Sequence, residues 1–186
     1  YHSSKNLYHG RVNYPEMMKY LVGGRQLIRA MAYVVKSDTA LGEASFFEAL
    51  KKSGFELRLK DLQIFPGGSK KADWDVGMAV DAIRMADSLD VVILLTGDGD
   101  FVPLVEYLKY NQGCQVEVIA FGKSSSARLI DAVDDFIDLD LNSKKYCTDL
   151  DGTWVTANQC SLSDTLFNGI DLNINTAGYS DGNYFI

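Results

Sequence analysis

Five consecutive apolar residues, Val91-Val92-Ile93-Leu94-Leu95, break at Thr96-Gly97 and run into Asp98-Gly99-Asp100-Phe101-Val102-Pro103-Leu104. Such a run reads as a strand buried on both faces of a parallel sheet, which requires helices on either side and confines the chain to an α/β architecture. In open parallel sheets ligands gather at the carboxyl ends of the strands, so Asp98 and Asp100 stand where chemistry is usually done. Gly97 and Gly99 leave the backbone free to turn and let a ligand approach closely. Two neighbouring carboxylates repel unless a cation lies between them, and hard oxygen ligands suit Mg²⁺ or Mn²⁺. Asp100 also precedes an apolar helical run with Pro103 in its first turn, so a helix N-cap is an equally good reading of it. For Asp98 the sequence offers no such structural reading.

The elements around this stretch alternate. Asn13-Tyr14-Pro15-Glu16 carries the signals of a capped helix start, and Gly23-Gly24 of its end. Leu27 to Val35 reads as a strand, Glu43 to Lys52 as a helix closed by Ser53-Gly54, and Phe55 to Lys60 as a half-exposed strand near the sheet edge. A turn at Pro66-Gly67-Gly68 follows. The run from Asp73 becomes helical, with Val76, Val80 and Ile83 on one apolar face and its acids crowded at the beginning. Asp75 and Asp81 lie about 240° apart around a regular helix, so both reach one metal only if Asp75 precedes the helix proper. Asp75 therefore ranks above Asp81.

Helix Pro103–Tyr110, strand Val116–Phe121, helix Ala127–Val133 and strand Phe136–Leu139 complete a three-layer α/β sandwich with a mainly parallel sheet. In the polar loop Gly122-Lys123-Ser124-Ser125-Ser126, Lys123 or a hydroxyl such as that of Ser125 could hold a phosphate, although solvation is the commoner role of such loops. Residues 1–140 thus form one α/β domain. Residues 141–186 change to Asn, Thr, Ser, Gly and Asp with scattered aromatics, an irregular C-terminal extension held by the core or by a partner chain.

The net charge of −7 hides an asymmetry: residues 1–71 hold 12 Lys or Arg against 6 Asp or Glu, whereas residues 72–140 hold 4 against 14. A metal-holding acidic half beside a basic half suits an enzyme acting on a polyanion, and a plain nucleic-acid binder would be basic overall; charge blocks are as often solvated faces. Only His2 and His9 occur, which argues against zinc catalysis and histidine-based triads. The three cysteines lack regular spacing, so free thiols in a reducing cytoplasm are expected, Cys147 and Cys160 included. No apolar run is long enough to span a membrane, and Tyr1-His2-Ser3-Ser4-Lys5 has no signal-peptide architecture.

The set Lys71-Ala72-Asp73-Trp74-Asp75-Val76-Gly77, Asp81, Thr96-Gly97-Asp98-Gly99-Asp100-Phe101-Val102-Pro103, Ser126-Ala127-Arg128-Leu129-Ile130 and Asp134-Asp135-Phe136-Ile137-Asp138-Leu139 resembles the NYN domain of the LabA-like (DUF88) group over roughly residues 1–140. The resemblance implies a PIN-like fold and metal-dependent cleavage of single-stranded RNA. It implies Mg²⁺ or Mn²⁺ held by Asp75, Asp98 and Asp100, Asp81 as a supporting acid, and Lys71 and Lys123 on flanking phosphates. The family also begins with a buried strand ending in Asp, an element this sequence starts just beyond, so the sheet is expected to lack a strand and the metal a ligand. Ile170-Asp171-Leu172-Asn173-Ile174 is a candidate replacement, but its alternation fits an edge strand better.

Two other readings remain open. Asp98-Gly99-Asp100-Phe101-Val102 matches the Asp-x-Asp-x-Val element of haloacid-dehalogenase-like phosphatases, although Thr96-Gly97 separates it from the strand and little chain follows. Alternatively, the domain keeps the fold without efficient turnover and serves as a regulatory or interaction module, its extension meeting a second copy or another protein.

Overall fold

The computed structural model describes residues 11–36, 43–64, 70–71, 73–141 and 147–148. Its elements run β1 (Arg11–Val12), α1 (Tyr14–Val22), β2 (Met31–Lys36), α2 (Glu43–Lys52), β3 (Glu56–Asp61), β4 (Gln63–Ile64), β5 (Lys70–Lys71), α3 (Asp75–Ala86), β6 (Val91–Leu94), α4 (Val102–Tyr110), β7 (Gln115–Ala120), α5 (Ala127–Ala132), β8 (Asp135–Asp138) and β9 (Cys147–Thr148). The expected turn at Pro66, the segment Ile170–Ile174 and Cys160 lie outside the described residues. Among those described, no helix is long and apolar enough to cross a membrane.

Local chemistry sets the first helix. Asn13 accepts from the Glu16 amide at 3.2 Å, Pro15 occupies the first turn, and Gly23 ends the helix at φ 55°, a left-handed conformation that glycine adopts without Cβ strain. The strand after it starts at Met31, later than the expected Leu27. Leu27 and Ile28 are instead half uncovered, on the wall of a cleft described below.

Strands β2 and β3 pair in parallel, as do β6, β7 and β8 in that order. Side-chain alternation places both pieces in one layer. Met31 and Tyr33 of β2 share a core with Val92, Leu94, Val116 and Val118 and with Met78, Ala82 and Leu108 of the helices α3 and α4. On the other face Ala30, Ala32 and Val34 join Ile119 and Phe121 under Met17 and Leu21 of α1 and Leu50 of α2. The result is helices, sheet, helices, each fully buried Met or Leu contributing about 1.5–3 kcal/mol.

Helix α3 fixes the direction of the two pieces. The Trp74 indole, at its start, donates to the Val34 carbonyl at 3.2 Å, and Met85, near its end, lies 3.8 Å from the Arg29 guanidinium. The chain then enters β6 at Val91, beside the beginning of β2, so β2 and β6 run parallel. They do not pair. Between them lies a cavity of about 390 Å³ lined by Leu27, Ile28 and Ala30 on one side and Val91, Ile93 and Leu95 on the other, with Leu21 over it.

This cavity corrects one expectation. Val92 and Leu94 are buried, but Val91, Ile93 and Leu95 are only half-buried, because their face of β6 opens onto the cleft. A second correction concerns α3: Val76, Val80 and Ile83 are exposed, Val76 to 75 %, while Met78, Ala82 and Ala86 face the core. Small side chains let that helix approach the sheet closely, which the larger β-branched residues would hinder.

Candidate functional site at the carboxyl edge of the sheet

After β6 the chain turns over the sheet edge through Thr96-Gly97-Asp98-Gly99 and enters a 3-10 turn, Gly99–Phe101, that leads into α4. Thr96 is buried and its hydroxyl oxygen accepts from the Asp98 amide at 3.1 Å. Asp98, rather than Asp100, is the N-cap: its Oδ1 accepts from the Asp100 amide at 2.9 Å. Asp100 sits one step further, exposed in the first turn. The cap goes to Asp98 because its extended backbone, ψ 124°, aims the carboxylate at the turn's free amides.

The second oxygen of Asp98 is different. Oδ2 is buried and has no hydrogen-bond partner among the described residues. An unsatisfied buried polar atom costs about 1–3 kcal/mol, more when charged, so this position favours an incoming donor or cation.

The glycines hold that carboxylate close to the next loop. A Cβ at Gly97 would stand 2.7 Å from Ser125 Oγ and 3.1 Å from Ser125 Cα, and one at Gly99 would stand 2.6 Å from Ser126 Oγ. The Ser126 amide donates to the Gly97 carbonyl at 2.8 Å, locking the two loops together. Ser125 donates to the Phe121 carbonyl at 2.8 Å, so its proton is already committed within the loop.

Two aspartates that the sequence reading did not single out organise the same loop. Asp138 Oδ1 accepts from the amides of Gly122 and Asp140, and Asp140 Oδ2 accepts from the Lys123 amide at 2.8 Å. Their signal was present as Asp138-Leu139-Asp140, an Asp-x-Asp directly after a strand. Lys123 itself is exposed on this loop.

The remaining candidates come from α3. Asp75 is its first residue, preceded by Trp74 as cap residue, and its amide donates to Asp73 Oδ1 at 2.9 Å. Asp75 therefore lies within the helix and, at about 100° per residue, faces away from Asp81. Asp81 Oδ2 accepts from the Tyr33 hydroxyl at 3.0 Å and meets Arg58 Nε at 3.2 Å. Burial and then the bond to Asp81 push the Tyr33 hydroxyl well above the usual tyrosine range, so it stays a proton donor. The Lys71 side chain lies outside the described residues. Among those described, no three His, Cys, Asp or Glu side chains come close enough together to hold a metal ion.

Similarity to other proteins follows the same boundaries. The NYN domain family matches residues 2–140. The LabA protein of Synechococcus elongatus, named for low amplitude and bright, is 28 % identical over 120 residues, covering 61 % of this chain and 63 % of that protein. The chain thus spans less than two thirds of that relative's length. A crystal structure of a Vibrio parahaemolyticus protein of unknown function superposes with a TM-score of 0.73 at 32 % identity, covering 80 % of this chain and 89 % of the other. With the loop-borne aspartates at the carboxyl edge of a PIN-like sheet and this match over most of its length, the chain belongs to the NYN domain family, in its LabA-like group.

Proposed function

We propose that this domain is a metal-dependent endoribonuclease acting on single-stranded RNA in the cytoplasm. The observation that carries the reading is the buried, unpartnered Asp98 Oδ2 at the sheet's carboxyl edge. Membership of the NYN domain family supports it over the phosphatase alternative.

A donor set of aspartates suits Mg²⁺ or Mn²⁺. Asp98 would hold the ion; Asp100 and Asp75 as further ligands and Asp81 in support are carried over from the family resemblance, since among the described residues these carboxylates do not stand close enough together to complete a three-carboxylate set. When bound, the metal supplies Lewis-acid stabilisation of charge at the phosphate during hydrolysis of a phosphodiester. The protein's own part is positional. Thr96 holds the Asp98 backbone amide and the Asp100 amide holds the Asp98 carboxylate, so little reorganisation is needed when charge develops. Lys123 and Lys71 would bind phosphates on either side of the scissile bond. Ser125 supports that loop rather than the phosphate, since its proton is directed at Phe121.

The test is cleavage of a labelled single-stranded RNA by the purified chain with Mn²⁺, compared with Asp98→Asn. Metal-stimulated cleavage lost in the variant supports the reading; RNA left intact by the parent protein overturns it. A second reading, a non-catalytic RNA- or protein-binding module, is favoured by one observation, the lack of three clustered metal-binding side chains among the described residues. RNA binding that survives Asp98→Asn with no cleavage by either protein selects it.

A further inference from the structure

Consecutive serines close the loop that packs on the Asp98 turn, and they use their hydroxyls differently. Ser124 and Ser125 both donate to the Phe121 carbonyl, at 3.3 and 2.8 Å. Ser126 is the cap residue of α5, where a serine ordinarily accepts from an amide of the first helical turn. Its side chain makes no such bond. Among the described residues the Ser126 hydroxyl has no hydrogen-bond partner, so its proton is uncommitted.

The backbone explains where that hydroxyl goes. The Ser126 amide donates to the Gly97 carbonyl at 2.8 Å, which fixes the residue beside the Asp98 turn. Its side chain then lies over Gly99, the residue between Asp98 and Asp100: a Cβ there would stand 2.6 Å from Ser126 Oγ and 3.0 Å from Ser126 Cβ. Gly99 has no positive φ, so it is the neighbouring serine that calls for glycine at this position. Ser126 is half-buried and open to solvent on this side chain.

Two unsatisfied groups thus stand at one turn, an acceptor at Asp98 Oδ2 and a donor at Ser126, and they do not bond each other. Their needs are opposite. A phosphodiester with its counter-cation meets both, the cation at the carboxylate and a phosphate oxygen at the hydroxyl. Helix α5 has only 6 residues, so the donor in question is the side chain and not a helix end.

We propose that the Ser126 hydroxyl is a substrate-binding group that donates a hydrogen bond to a non-bridging oxygen of the phosphate held beside Asp98. The assignment rests on the nuclease reading for the identity of the phosphate, while the bond itself is readable without turnover.

The test measures binding of labelled single-stranded RNA by fluorescence anisotropy with Ca²⁺, for the parent, Ser126→Ala and Ser125→Ala. The RNA is used in three forms: plain, and with every phosphate converted to a phosphorothioate of one or the other configuration. Sulfur is a poor acceptor, so one of these two forms lacks the oxygen that Ser126 contacts. Ser126→Ala is expected to weaken plain RNA and one thio form about tenfold and to leave the other unaffected, with an unchanged melting temperature because no cap bond is lost. Ser125→Ala, which loses its bond to Phe121, is expected to lower the melting temperature and keep the parent's discrimination between the two thio forms. Equal weakening of all three RNAs by Ser126→Ala would mark a merely structural role and overturn the proposal. So would unchanged binding of plain RNA, or no RNA binding by the parent. Cleavage with Mn²⁺ is read separately: its absence alongside the expected stereochemical pattern would refute the nuclease reading and leave Ser126 as a phosphate donor.

Discussion

The two halves of the sheet use their acids in opposite ways. Around β2 and β3, glutamates meet side-chain cations: Glu16 with Lys19, Glu48 with Lys51, and Glu56 with Arg29. Around β6, β7 and β8, aspartates meet backbone amides: Asp73 that of Asp75, Asp98 that of Asp100, Asp134 that of Val116, Asp138 those of Gly122 and Asp140, and Asp140 that of Lys123. Short carboxylates fit the free amides of turns and strand ends, whereas longer ones reach across a surface to a cation. Much of the negative charge in residues 72–140 therefore builds loops. Asp98 stands apart from this group because its other oxygen is buried with no hydrogen-bond partner among the described residues.

Asp98→Asn sharpens the contrast most. Asparagine caps as well as aspartate, so the fold should keep its melting temperature, while metal-stimulated cleavage in an RNA assay should fall by about 100-fold or more. Gly97→Ala attacks the loop junction itself. Its Cβ would press on backbone atoms of Ser124 and Ser125, which cannot swing away as a side chain can, and urea unfolding should show a loss of about 1–3 kcal/mol.

Asp134→Ala removes an amide partner from buried Val116 and the 3.0 Å pair with Lys109, with an expected loss of about 1 kcal/mol at neutral pH. The Val116 amide, and then Lys109, hold the Asp134 carboxyl below its ordinary 3.8. Its contribution is thus present above pH about 4 and disappears as pH falls through the lowered value, so denaturation curves of parent and variant should converge there. Glu56→Gln is the smallest change: the pair with Arg29 is solvent-exposed, and the urea midpoint should barely move. A large loss there would break the distinction between the halves.

The sequence made the element order readable because capping and turn signals are local: Asn13, Gly23 and Gly54 mark ends that the structure keeps. Which face of an element is covered was less legible. Along α3 apolar residues occur nearly all round, and only the tertiary fit selects Met78, Ala82 and Ala86 over Val76, Val80 and Ile83. The same holds at the candidate site. Asp98-Gly99-Asp100 announced a functional turn, but the assignment of the cap depends on backbone angles that the letters do not carry. The loop-building role of Asp138 and Asp140 was not legible because their partners are amides of a loop 16 and 17 residues earlier in the chain.

The pair between Arg25 and Glu117 bears on how the molecule assembles. The guanidinium meets both carboxylate oxygens, at 2.7 and 3.0 Å, across 92 residues of chain, while Glu117 is nearly buried in the middle strand of the β6–β7–β8 piece. Each sheet piece otherwise pairs strands close in sequence, so each can condense early, and closure of a long loop comes late. A contact formed after the folding barrier governs escape from the native state more than arrival at it. Glu117→Gln should accordingly leave the refolding rate in stopped-flow mixing nearly unchanged and quicken unfolding, which makes this ion pair a control on the lifetime of the folded chain.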